Sequence, residues 1–153
     1  MGDRMTVRET NLAILELYKK TDRFIRDAYS SAEGVSEYIR TMEAKESYGR
    51  SRVNGWADDY RMLKHVRWVR NRLTHEVGYD TAICDAKDYP WLEAFYGRLR
   101  DSSDPLSLAR KLEHEDALRR AEARKKLEQA REEKARANKK RKSFWQRLKE
   151  LFF

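Results

Sequence analysis

Apolar residues recur at three- and four-residue steps from Val7 to Tyr29, and no other feature constrains the fold as strongly. Val7, Asn11, Ile14, Leu15, Tyr18, Ile25 and Tyr29 fall on one stripe when each residue advances by about 100°, as on a helix. "SSAEG" punctuates the pattern. A second stripe follows, with Val35, Tyr38, Ile39 and Met42 at i, i+3, i+4 and i+7. "ESYGRSRVNG" reads as a loop whose Asn54-Gly55 pair favours a turn. A third helix is predicted from about Trp56 to Glu76, with Leu63, Val66, Val69, Leu73 and Val77 facing inward. "GYDTAICDAKDYP" reads as irregular, and Pro90 opens a helix carrying Trp91, Leu92, Phe95, Tyr96 and Leu99. Six glycines, two prolines and few alternating β-branched runs complete the prediction of an all-α protein, an antiparallel helical bundle.

The last helix begins with Asp104 as N-cap and Pro105 at the first helical position, where a missing N–H is harmless. Beyond Leu118 the apolar spacing thins to Ala121, Leu127, Ala130 and Ala137 among charges and strong helix formers. Residues 119 to 142 therefore predict an exposed, frayed helix with a seam too poor in leucine for a coiled coil. Ser143 can cap a short final helix. The expected organisation is a helical domain over 1–112, a charged helical extension over 113–142 and a basic, amphipathic, aromatic tail over 143–153.

Charge is unevenly distributed. The chain carries 34 Lys and Arg against 26 Asp and Glu, but Arg119 to Phe153 alone holds 14 and 5 of these. The preceding 118 residues are left with 20 basic and 21 acidic side chains, close to neutral. A nucleic-acid partner thus cannot be argued from overall pI. The single cysteine, Cys84, excludes an internal disulfide and fits a reducing compartment. "MGDRMTVRETN" contains no apolar run of the kind a signal peptide needs, and no stretch approaches a spanning helix. The expected location is cytoplasmic, with peripheral membrane contact available to the tail.

"WVRNRLTHEVGYD" carries the densest chemistry. On an α-helix Asn71 and His75 lie about 40° apart on one face, but Arg70 and His75 lie about 140° apart. That spread is poor for gripping one atom from a single helix. It becomes workable when two copies of the helix meet across a two-fold axis and their arginines and histidines converge. Arginine stays cationic and forks onto phosphate oxygens, histidine titrates near neutrality, and asparagine can fix a neighbouring side chain.

Arg70-Asn71-Arg72-Leu73-Thr74-His75 resembles the R-N-x-x-x-H signature of the HEPN (higher eukaryotes and prokaryotes nucleotide-binding) superfamily. The resemblance covers residues 6 to 112 in helical layout and six residues in motif; the basic tail lies outside the shared pattern. It implies a small, often dimeric, all-α bundle, and for many members a metal-independent ribonuclease of toxin–antitoxin, abortive-infection or other phage-defence systems. It further implies Arg70 and His75 as the catalytic pair, with Asn71 the polar residue beside them and an antitoxin or regulatory protein as partner. RNA would be guided by Lys64, Arg67 and Arg72, with Trp68 stacking a base or serving as interface or core. HEPN-like domains also act without cleaving, as interaction modules. The competing reading pairs Arg70 with Glu76 or Asp59 and leaves His75 as a cation at a helix C-terminus.

Metal and cofactor chemistry are not expected: His65 and His75 lie on different faces, His114 is distant, Cys84 has no companion, and no phosphate loop exists. The tail sets Phe144, Leu148, Leu151 and Phe152 on one side, with Trp145 adjacent, after the basic block Lys139 to Lys142. It suits an anionic membrane surface, a partner's groove or the chain's own domain.

Overall fold

The computed structural model describes residues 4–153, and among them every regular element is helical. Helix α1 spans Val7–Tyr29, α2 Val35–Ala44, α3 Glu46–Arg52, α4 Trp56–Arg72, α5 Asp88–Arg100 and α6 Pro105–Phe152; a π-helical turn, Leu73–Val77, continues α4. The all-α class follows directly. The chain divides into two compact units, one through Lys111 and one from Leu112 to Phe153.

Helices α1, α2, α4 and α5 of the first unit each bury an apolar stripe. Ile14, Leu15, Tyr18 and Ile25 of α1 meet a core built from Val35, Tyr38, Ile39 and Met42 of α2, and Leu63, Val66 and Val69 of α4. Leu92, Phe95 and Leu99 of α5 and Leu106 and Ala109 at the start of α6 complete it. Helix α1 packs on α5, and α2 on α4. At the entry to α1, Thr6 Oγ1 accepts from the Glu9 N–H at 3.2 Å while the Thr6 N–H donates to Glu9 Oε2 at 2.7 Å. These reciprocal bonds satisfy two backbone groups that a helix start otherwise leaves unpaired.

The 46–52 segment is a helix and not the expected loop. Its sequence lacks an apolar stripe, so the cause is tertiary. Gly49 lies against the buried Trp56, and a Cβ there would come within 2.3 Å of the indole. The absent side chain lets one turn of backbone rest on the ring. The Asn54-Gly55 turn is present, with Gly55 at φ +77°.

Helix α5 begins at Asp88, two residues before Pro90. A proline within the first turn sacrifices no intrahelical bond. At α6, Asp104 caps as its type predicts: Oδ2 accepts from the Ser107 N–H at 3.3 Å. The same oxygen accepts from the buried Tyr38 hydroxyl at 2.6 Å, and Tyr38 Oη accepts from the Leu106 N–H at 3.1 Å. Burial, reinforced by the Asp104 carboxylate, holds the Tyr38 phenol well above its ordinary pKa.

The second unit is the remainder of α6. The helix passes through Ser143 without interruption, so Ser143 does not cap a separate short helix. No glycine or proline falls between Leu112 and Phe153, and the residues from 119 to 142 are mostly strong helix formers. No helix among the described residues is long and apolar enough to cross a membrane.

Candidate functional site

The last turns of α4 carry the motif. Val66, Val69 and Leu73 point into the core, which fixes the rotation of the helix and leaves Arg70, Asn71 and His75 exposed. At Leu73 the helix widens. The i→i+5 pattern of a π-helix takes about 4.4 residues per turn, or roughly 80° per residue. With ideal π geometry for the two steps past Leu73, the angle between Arg70 and His75 around the axis would fall from about 140° to roughly 100°.

Two side-chain features accompany the widening. Thr74 Oγ1 donates to the Arg70 carbonyl at 2.8 Å and lies 3.4 Å from the Asn71 carbonyl. Such back-bonding offers carbonyls a partner when the regular ladder is disturbed. Gly78 then ends the turn at φ +72°, ψ −170°, a conformation that glycine alone adopts without strain.

Arg70 has no carboxylate partner among the described residues. Its guanidinium donates to Asn71 Oδ1 at 2.9 Å and lies 5.7 Å from the centre of the Tyr18 ring. The two acids of the competing reading are engaged elsewhere. Glu76 accepts from Arg72 at 2.5 Å, and Asp59 takes a two-pronged bond from Arg98 at 2.7 Å on each oxygen. His75 is exposed, in the last turn before Gly78.

The remaining motif-helix residues divide. Trp68 is 49% exposed and so is not a core residue. It stacks on His65 with ring centres 6.0 Å apart, and the Arg72 guanidinium lies 5.5 Å from its ring. Lys64 is exposed, its ammonium 4.2 Å from the Tyr60 ring centre, whereas Arg67 and Arg72 are half-buried. Tyr18, the platform under Arg70, appeared in the sequence only as a member of the core stripe.

Burial raises the Tyr18 phenol to about 12, with Asp22 adding to the rise and Arg70, Arg67 and Arg26 opposing it. Because the unfolded phenol ionises near 10, the unfolded chain loses this proton first, and stability contributed by the neutral phenol falls as pH climbs from 10 to 12. The wild-type chain is expected to lose up to about 1.4 kcal/mol per pH unit more than Tyr18→Phe in that window. Urea denaturation at pH 9, 10 and 11 reads this, and equal slopes would contradict it.

A second cluster joins His65 of α4 to Asp85, in the segment before α5, and to Asp88, the first residue of α5. His65 Nε2 is 3.0 Å from Asp88 Oδ2 and 3.7 Å from Asp85 Oδ2. The expectation of no metal-type grouping weighed only histidines and cysteine; the fold instead sets two aspartates of "CDAKD" beside His65. Cys84 is not solitary either, since its thiol lies 3.2 Å from Asn11 Oδ1. Burial, with the Asp88 and Asp85 charges, pushes that thiol up to about 11, so it is no ready nucleophile.

Fold and site together define an all-α helical protein with an exposed Arg–Asn–His group at a widened helix end. The chain belongs to the family described as "Family of unknown function (DUF6548)", whose model matches residues 12–150. The match runs from α1 almost to the end of α6, so the extended part of α6 belongs to the family pattern. No curated protein and no solved structure matches the chain.

Proposed function

We propose that the protein is a HEPN-type, metal-independent endoribonuclease that works as a homodimer through Arg70 and His75. The observation that carries this reading is an exposed histidine in the π turn that follows an exposed arginine without a carboxylate partner among the described residues. An unneutralised guanidinium, steadied by Asn71 and Tyr18, suits a phosphate group. In the reaction an RNA 2′-oxygen attacks the adjacent phosphorus, the 5′-oxygen leaves, and the products are a 2′,3′-cyclic phosphate and a 5′-hydroxyl. Arg70 holds the non-bridging oxygens and offsets their growing charge. His75 takes the proton from the 2′-hydroxyl or delivers one to the leaving oxygen. Trp68 offers a face for a base, and Lys64, Arg67 and Arg72 line the same helix for the backbone. The setting that suits such an enzyme is prokaryotic toxin–antitoxin or phage defence, with an antitoxin or regulatory protein as its control.

Incubating the full chain with mixed RNAs in EDTA tests the reading. Cleavage that disappears in both Arg70→Ala and His75→Ala supports it. Intact RNA with a folded dimer favours a second reading, a non-catalytic HEPN-like module recruited by its tail. What favours that alternative is exposure at the end of α6: Phe144, Trp145, Leu151 and Phe152 are all largely open, just after the basic block 139–142. Leu148 between them is half-buried. The full chain is then expected to co-sediment with vesicles containing phosphatidylserine, and a chain lacking residues 139–153 is not. Equal sedimentation of both would remove the membrane role.

A further inference from the structure

We propose that His65, Asp85 and Asp88 form a binding site for one divalent transition-metal ion of the Zn²⁺ type, which clamps the segment before α5 onto α4. This is independent of the ribonuclease reading. The donor atoms of the three residues all lie within 4.8 Å of one another, and the two distances from His65 Nε2 are 3.0 and 3.7 Å. Donors bound to one ion at about 2.1 Å stand about 3–4 Å apart, so little movement is needed.

The sharper observation is Asp88. Its side chain is completely buried, and its Oδ2 accepts the Asp85 N–H at 2.8 Å and lies 3.0 Å from His65 Nε2. Its Oδ1 is buried with no hydrogen-bond partner. A carboxylate oxygen without a donor is costly inside a protein and asks for a ligand. Both oxygens belong to one buried carboxylate, and a divalent ion bound through Oδ2 would offset the charge that the unpartnered Oδ1 shares.

The surroundings fit. Trp68 stacks on the His65 ring and restrains it. Asn11 donates to the Tyr79 and Thr81 carbonyls at 2.8 and 2.9 Å, which already ties the near end of the segment to α1. The ion would tie the far end. Asp85 is 62% exposed and His65 29%, which opens a path for entry and leaves room for water on the ion.

One imidazole with two carboxylates matches Zn²⁺ or its neighbours better than Mg²⁺, which prefers oxygen donors and keeps its waters. Two carboxylates also balance the charge of a divalent ion. Any proton shared between His65 Nε2 and Asp88 leaves to solvent as the ion enters.

Calorimetric titration of the EDTA-stripped, dialysed full chain tests this with Zn²⁺ and Mg²⁺, and Co²⁺ absorption reports the donors. The expected result is one Zn²⁺ per chain, not displaced by millimolar Mg²⁺. Affinity should fall at least tenfold in His65→Ala and in Asp85→Asn, and stay unchanged in His114→Ala. Asp85 is exposed, so its variant should fold, which circular dichroism verifies. Absence of one-to-one Zn²⁺ binding, equal competition by Mg²⁺, or unchanged affinity in either site variant would overturn the proposal.

Discussion

His75→Ala is expected to lower the rate of RNA cleavage by about 10²–10⁴, the usual contribution of a positioned acid or base. Its KM should stay close to wild type, because the imidazole acts on the proton in flight and contributes little to holding RNA. Arg70→Ala should lose at least as much, since the guanidinium meets charge that grows in the transition state. Arg70→Lys tests the fork: an ammonium restores the charge but not the paired donors, so most of the loss should remain. None of these three variants should unfold the chain, because Arg70 and His75 are exposed and the core contacts of the helix come from Val66, Val69 and Leu73. Trp68→Ala should behave differently, raising KM through a lost stacking face worth about 1–3 kcal/mol per base. Single-turnover rates and KM for the four variants separate these roles, and a KM-only effect in His75→Ala would remove its assignment.

The largest loss of stability is expected from Asp104→Ala. The carboxylate caps α6 through the Ser107 N–H and accepts from the Tyr38 hydroxyl, which in turn accepts from the Leu106 N–H. Removing a cap costs about 0.5–2 kcal/mol. Leaving a buried hydroxyl donor unpaired costs roughly 1–3 kcal/mol more. The sum, about 1.5–5 kcal/mol, is a large share of the 5–15 kcal/mol that typically holds a domain together. Asp104→Asn keeps an acceptor for both bonds and should recover most of the loss. Urea unfolding of the two variants decides this; a loss under 1 kcal/mol in Asp104→Ala would mean the Tyr38 network carries little.

The bundle was readable wherever burial leaves a periodic mark. The stripes of α1, α2 and α4, the Asp104-Pro105 start and the Gly55 turn appear in the structure where the residues place them, except that Val7 is exposed and Tyr29 and Val77 are only half-buried at the helix ends. Helix α3 was not readable because it rests on a single absence, the missing side chain of Gly49 over Trp56. Ser143 misled because a good capping residue is also tolerated inside a helix when nothing stops the chain before it.

The candidate site shows the same division. Arg70, Asn71 and His75 stand out in the sequence, but the π turn that changes their mutual angle does not. It goes with the Thr74 hydroxyl returning to a carbonyl and with Gly78 ending the turn, features with no periodic signature. The His65 cluster joins residues twenty and more positions apart, and a D-x-x-D spacing before a helix is too common to single out.

The most direct measurement is the chemistry of the ends. RNA treated with the wild-type chain in EDTA should carry 2′,3′-cyclic phosphate and 5′-hydroxyl termini, and RNA treated with His75→Ala should carry neither. Fragments ending in 5′-phosphate, or RNA left whole by a dimeric, folded wild-type chain, would contradict the account.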